Sequence, residues 1–447
     1  MDLGRPLIRL VARRRSAALS AATPRGPTST WIGIEHEFLV LDATGARVDF
    51  RRVIHGLRLG RPDLMPLDRN AYPVASGSVV TADNKEAEIA IPPTAVASGF
   101  ARRLDGWAAF ERAGLARRTA PMTLKGDSTH LNVTLPPGVD PDRVADLFAT
   151  RFALGLMLLM DQQHSPGLLV RPRPYRLELG GEYAVGRTLR SAVAYAVGGA
   201  LACIEAAASG STAALPPALD VKLERGVLRY GWYVARTAFG GDLYSTGRST
   251  AVARASGESW QAGEALAAAW SVARHHLGAH AGPADVAECD KIVAGSLPLP
   301  IEAHEEIDLR VSRPRRPRSE FGSALKARRR PMFELAPVML TWQAAVFLVV
   351  DVNTRRLAYV AVPGYGLNHF LRSLDGGSLD GLITAYLALR PSGRRLRSVR
   401  EVRSVGMFDE LGLRAALLAP ERDYWGRPVR LLLASTHASN LPVGQAA

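Results

Sequence analysis

Residues Trp31–Leu41 read W-I-G-I-E-H-E-F-L-V-L, an apolar run interrupted by Glu35, His36 and Glu37. Strand side chains alternate between two faces, so Glu35 and Glu37 share one face, while Ile32, Ile34, Phe38 and Val40 share the other with His36. At a rise of ~3.3 Å per residue the two carboxylates stand about 6 to 7 Å apart. No Lys or Arg lies between Trp31 and Asp42. A divalent cation, or an Arg from elsewhere in the chain, has to balance the pair.

Three further stretches follow the same plan. Residues 85–93 (K-E-A-E-I-A-I-P-P) put Glu86 and Glu88 on one face and Ala87, Ile89 and Ile91 on the other, and Pro92-Pro93 stops the strand. Residues 128–136 (S-T-H-L-N-V-T-L-P) put His130, Asn132 and Thr134 opposite Thr129, Leu131, Val133 and Leu135. Residues 175–179 (Y-R-L-E-L) place Arg176 and Glu178 together, before Gly180-Gly181. One such strand is the wet face of any antiparallel sheet. Ordinary wet faces mix Lys, Thr, Ser and Arg, whereas these four gather Glu with His, Asn and Arg. Glu with His is a ligand set for Mg²⁺ or Mn²⁺.

Taken in order, G-I-E-H-E-F, E-A-E-I-A-I-P-P, S-T-H-L-N-V and R-P-R-P-Y-R-L-E-L resemble the carboxylate-amine ligase superfamily, which includes glutamine synthetase and glutamate-cysteine ligase. The resemblance covers residues 31–183, about a third of the chain. It implies an α+β fold in which a curved antiparallel sheet, flanked by helices, forms an active-site funnel, with ATP at one end and divalent ions along the floor. Carried over, Glu35, His130 and Glu178 would hold the metal at the nucleotide phosphates, and Glu37, Glu86 and Glu88 the metal near the acceptor. His130, Asn132 and Arg176 would contact the nucleotide. The family often has Arg two residues after the last Glu, and that position here is Gly180. The catalytic Arg for the transferred phosphoryl group is then Arg176, Arg173 or Arg171. The implied activity joins a small-molecule carboxylate and an amine, an amino acid among them, in an ATP-dependent amide bond made through an acyl phosphate.

Composition narrows the alternatives. The chain has 447 residues, enough for two or three domains or one elaborated domain. Its 47% hydrophobic content and mean hydropathy of +0.01 suit a soluble globular protein. The net charge of +14 favours anionic partners such as nucleotides, but five of the 56 basic residues are Lys. An Arg and Ala bias of this kind is compositional, so nucleic acid is not an expected partner. Two cysteines, Cys203 and Cys289, exclude a disulfide framework and a C-x-x-C zinc site, and a cytoplasmic setting fits. There is no phosphate loop with Lys-Ser/Thr and no G-x-S-x-G. Two readings from other classes remain: a non-catalytic basic protein that keeps the ligase fold and binds an acidic polymer, and a metal-dependent phosphotransferase.

The chain divides into a mobile leader (1–30), a catalytic sheet domain (31–210) and a mostly helical second half (211–447) that either stands apart or continues the catalytic domain. Helices are expected over 100–118, 140–160, 231–239, 264–276 and 339–349, and strands over 357–362 and 429–433. The apolar runs 191–204 and 338–350 fall short of the ~20 residues of a membrane span and are expected as buried helices. Residues 55–80 are expected to form a loop over the site. The charge run 310–330 is a solvated basic loop or a clamp for phosphate. Glu334 is a further candidate acid, and His275, His276 and His280 are expected at the surface. The sequence leaves the oligomeric state open.

Overall fold

The four alternating stretches become strands, and those strands lie side by side. The computed structural model describes residues 30–57, 59, 72–74, 78–136, 138–173, 176–225, 231–278, 280–302, 328–340, 344–354, 356–363, 371, 373–388 and 433–434. Within them β1 (Trp31–Leu41), β2 (Arg47–Val48), β3 (Tyr72–Pro73), β4 (Val79–Asp83), β5 (Glu86–Ala90), β6 (Thr94–Ala95), β7 (Thr123–Thr134), β8 (Gly167–Arg173), β9 (Arg176–Glu182), β10 (Glu224–Arg225) and β11 (Trp232–Ala235) form one antiparallel sheet. Its order is β10-β11-β8-β9-β7-β1-β5-β4-β3, with β2 and β6 paired to the two ends of β1. The fold is α+β, with an open antiparallel sheet.

Period-two alternation gives this sheet an apolar back. Ile32, Ile34, Phe38, Ala87, Ile89, Leu131, Val133, Leu177, Leu179, Leu168 and Val170 are buried in one core with the helices. Those helices are α1 (Phe100–Thr119), α2 (Pro141–Arg151), α3 (Ala153–Met160), α4 (Gly186–Ser209), α5 (Leu243–Thr246), α6 (Ala262–Leu277) and α7 (Pro283–Val293). The same core runs on to Leu299 and Ile301.

Local signals set the helix ends. The Asp140 side chain accepts from the Asp142 N–H at 3.0 Å and Pro141 opens α2, as a start signal should. Gly210, at φ 73°, ends α4 in the left-handed region that glycine tolerates. The Glu264 side chain accepts from the Gln261 N–H at 2.9 Å at the start of α6. Gly198 of α4 lies against α6 so closely that a Cβ would stand 2.4 Å from the Ala273 carbonyl oxygen. That contact brings the two backbones together.

Several expectations need correction. Residues 140–160 form two helices rather than one, because Phe152 leaves helical geometry at φ −123°. Residues 231–239 are not a helix: W-Y-V-A pairs with β8, burying Trp232 and Val234. Residues 339–349 are not a helix either. Their described residues, 339–340 and 344–349, belong to β15 (Phe333–Leu340) and β16 (Ala344–Asp351), which join β14 (Arg328–Arg329), β17 (Leu357–Pro363) and β18 (Leu433–Ala434) in a second sheet. A continuous apolar run looks alike in a buried helix and a buried strand, and here pairing with neighbours decided it. The helix Asp380–Ala388 packs on this second sheet, through Ile383 and Leu387 against Phe333, Leu335, Phe347, Val349 and Val360. A small hairpin, β12 (Ala251–Ala253) with β13 (Ser259–Gln261), completes the described strands, and β10 to β18 all lie in the half expected to be mostly helical.

The run 191–204 is indeed buried helix, but α4 extends it to 24 residues. By length and composition that helix is apolar enough to cross a membrane, yet 72% of its apolar window is buried inside the fold. Cys203 and Cys289 are buried free thiols. Residues 1–29 of the expected leader, most of the expected loop over 55–80, residues 310–327 of the basic run and residues 429–432 lie outside the described residues.

Candidate active site

The register of the sheet places the polar residues of β8, β9, β7, β1, β5 and β4 in adjoining rows on its front face. In one row Ala90, Glu35, His130 and Gly180 are successive cross-strand neighbours. In the next, Thr81, Glu88, Glu37, Ser128 and Glu182 follow one another. On the other side of the first row stand Gly33, Asn132, Glu178 and Arg171. Neighbouring strands are ~4.8 Å apart, so side chains in one row touch.

Two groups emerge. Ligand atoms of Glu37, Asp83 and Glu88 lie within 4.8 Å of one another, and so do those of Glu35, His130 and Glu178. Asp83 was not anticipated. It ends β4 opposite Glu86, and Asn84 takes a left-handed φ of 49° in the tight turn between them. The turn dipeptide D-N between two alternating runs was the available signal. Glu86, which was expected in this group, is absent from it: the Arg47 guanidinium on β2 pairs with its carboxylate, and the Lys85 N–H donates to it at 2.9 Å.

The acidic group is poorly compensated. Burial raises the Glu37 carboxyl above its ordinary range, helped by Asp83 and Glu35 and opposed by His130 and the Ser128 hydroxyl, which donates to Glu37 at 2.5 Å. Burial and the Glu35, Glu37 and Asp83 carboxylates push Glu88 well above its ordinary range. Three hard oxygen donors gathered at this spacing, at a cost in mutual repulsion, fit a divalent cation.

The second group is differently built. His130 Nδ1 stands 3.4 Å from Glu35 and 3.6 Å from Glu178. Burial disfavours its charge, but the hydrogen bond to Glu35 and the Glu37 and Glu178 carboxylates outweigh that and raise the imidazole to about 9. The Glu178 side chain is 1% exposed. Its Oε1 accepts from Arg171 Nη1 at 2.8 Å, its Oε2 accepts from Arg173 Nε at 2.7 Å, and Arg176 Nη2 lies 3.6 Å away. Burial alone would raise this carboxyl, yet Arg176, His130, Arg171 and Arg173 hold it down at about 2. All three arginines proposed from sequence therefore meet at one carboxylate. Asn132 is 5% exposed, and neither its amide oxygen nor its amide nitrogen has a hydrogen-bond partner.

Gly180 has a positional explanation. A Cβ there would stand 3.0 Å from Cδ2 and 3.1 Å from Nε2 of His130. Any side chain at this position would meet the imidazole.

The chain matches no protein-family model and no curated protein sequence. Among solved structures it is similar to a chain in the crystal structure of the complex between prokaryotic ubiquitin-like protein Pup and its ligase PafA. That alignment has a TM-score of 0.35 and 12% identity, and it covers 60% of this chain and 64% of the other.

Other candidates lie elsewhere. Glu334 is on the second sheet, 3.5 Å from Arg329. The described end of the basic run is ion-paired, Arg328 with Asp375 at 2.6 Å and Arg330 with Asp380 at 2.7 Å. His276 sits at the end of α6, 3.3 Å from Glu205, and none of the three histidines joins a metal-ligating group among the described residues.

Proposed function

We propose that this protein is an ATP-dependent ligase that joins a small carboxylic acid, with an amino acid as the expected class, to an amine. The observation that carries the reading is the shared front face. Six neighbouring strands bring an acidic group (Glu37, Asp83, Glu88) beside a set of cationic and amide donors around Glu178, in a motif order that resembles the carboxylate-amine ligases.

The reaction needs both. A carboxylate does not condense with an amine in water near neutral pH, so a carboxylate oxygen first attacks the γ-phosphorus of ATP, and ADP leaves. The amine then attacks the acyl carbon of the acyl phosphate, inorganic phosphate leaves with the C–O electrons, and the amine gives up a proton. Both steps concentrate negative charge on oxygens. Arg171 and Arg173, fixed by Glu178, supply donors toward such oxygens, and His130 carries a proton on a nitrogen held by Glu35. A divalent ion on Glu37, Asp83 and Glu88 would neutralise phosphate charge when bound. The chain's own part is to orient the reacting groups and exclude water.

The test is ADP release by the purified chain given ATP, Mg²⁺ and pooled amino acids, with mass spectrometry of the products. Amino-acid-dependent ADP release with a new amide supports the ligase. ADP release with a phosphorylated product and no amide would make it a phosphotransferase. Salt-sensitive retention on nucleic acid with no ATP turnover would make it a binding protein.

A further inference from the structure

Glu178 is the residue whose surroundings disagree most with the role the resemblance implies for it. A metal ligand needs a lone pair directed at the ion. Here both carboxylate oxygens already accept charge-assisted hydrogen bonds, Oε1 from Arg171 Nη1 at 2.8 Å and Oε2 from Arg173 Nε at 2.7 Å. Arg176 stands within 3.6 Å of the same Oε2. Each oxygen keeps a second lone pair, but a divalent cation taking it between Glu35, His130 and Glu178 would sit beside Arg171, Arg173 and Arg176, whose positive charges oppose it. The group formed by Glu37, Asp83 and Glu88 offers three carboxylates in as small a space.

The row that contains Glu178 carries unmet donors. Gly33, Asn132, Glu178 and Arg171 are successive cross-strand neighbours. Gly33 contributes no side chain, so nothing on β1 covers Asn132 in that row. The Asn132 amide is 5% exposed with no partner, and Arg171 Nε is buried with no partner. Leaving such groups unpaired is costly unless a ligand satisfies them. Asn132 stands on one side of Glu178 in this row and Arg171 on the other, and the unpartnered amide N–H₂ and guanidinium Nε are donors suited to anionic oxygen.

We propose that Glu178 is a positioning residue, which holds Arg171 and Arg173 so that they and Asn132 form an oxyanion subsite independent of metal, and that it is not a ligand of a divalent cation. The oxygen belongs to a phosphoryl group or to a carboxylate. The subsite rests on the ligase reading only for the source of that oxyanion.

The experiment separates anion binding from metal binding in the full chain. Calorimetry in EDTA measures binding of inorganic phosphate in one arm and acetate in the other, and electron paramagnetic resonance counts bound Mn²⁺ without anion. The wild type should bind at least one of the anions saturably in EDTA, and the tighter arm names the source. Glu178→Gln, and Arg171→Lys in case the first fails to fold, should weaken the anion at least about tenfold and leave the Mn²⁺ count unchanged, while Glu178→Asp restores part of the anion affinity. Asn132→Asp should weaken the anion equally and add no Mn²⁺. Loss of one Mn²⁺ equivalent in Glu178→Gln, tighter Mn²⁺ binding in Asn132→Asp, or no binding of either anion by the wild type in EDTA would overturn the proposal. None of these depends on turnover, so failure here leaves amino-acid-dependent ADP release to stand or fall separately.

Discussion

Replacing Glu88 by Gln should make the metal-free protein more stable, not less. Glu88 lies between Glu37 and Thr81 on the sheet face, and its carboxylate, with those of Glu37 and Asp83, forms a group whose oxygens are within 4.8 Å of one another. Two unit charges at that distance repel by ~3.5 kcal/mol at an effective dielectric of about 20, and by ~0.9 kcal/mol in water. Glu88 faces two such neighbours, and the raised affinity of its carboxyl for a proton already relieves part of the repulsion. A gain of about 1 to 3 kcal/mol is therefore expected near neutral pH in EDTA, seen as a thermal midpoint several degrees higher. With saturating Mn²⁺ the order should reverse, because a ligand at about one hundred times its dissociation constant stabilises the wild type by ~2.7 kcal/mol and the variant has lost a charged donor. Differential scanning fluorimetry of both proteins, with EDTA and with Mn²⁺, makes the comparison. If Glu88→Gln lowers the midpoint equally in both buffers, a side-chain cation compensates the carboxylates and the metal reading of this group is wrong.

Three other outcomes can be checked directly. Gly126→Ala should destabilise the fold by about 2 kcal/mol or more, since its Cβ would stand 2.0 Å from a Tyr183 ring packed on His36 and Phe38; a loss below ~0.5 kcal/mol in urea unfolding would show that the ring yields freely. Burial raises the Asp161 carboxyl to about 7 against the hydrogen bonds it accepts from the Tyr244 hydroxyl and the Glu182 N–H. Its contribution to stability is then complete below about pH 4 and lost as pH rises through about 7, worth up to ~4 kcal/mol, so Asp161→Asn should flatten the fall in melting temperature between about pH 4 and about pH 7. An unchanged slope would place that pH dependence elsewhere. For the ligase proposed above, Gly180→Arg should slow ADP release at least about tenfold by expelling the His130 ring, and faster turnover would count against the place assigned to that imidazole.

Alternation along single strands is a local property, and it was legible. Backbone geometry alone sends Glu35, Glu37, Glu86, Glu88, His130, Asn132, Arg176 and Glu178 to the polar faces of their strands, and the apolar sets to the core. The buried helices α1, α4 and α6 were equally readable from the spacing or length of their apolar runs. What no single segment encodes is which strands pair and in what register. That choice put Asp83 beside Glu37 and Glu88, gave Glu86 to Arg47 on a distant strand, and collected Arg171, Arg173 and Arg176 on Glu178. It also placed residues 232–235, 339–340 and 344–349 in strands, because an apolar run is stable in either form and only a neighbouring edge with open hydrogen bonds decides between them. The residue types of the site follow from the sequence; which carboxylates remain uncompensated, and which are held by arginine, depends on contacts between residues far apart in the chain.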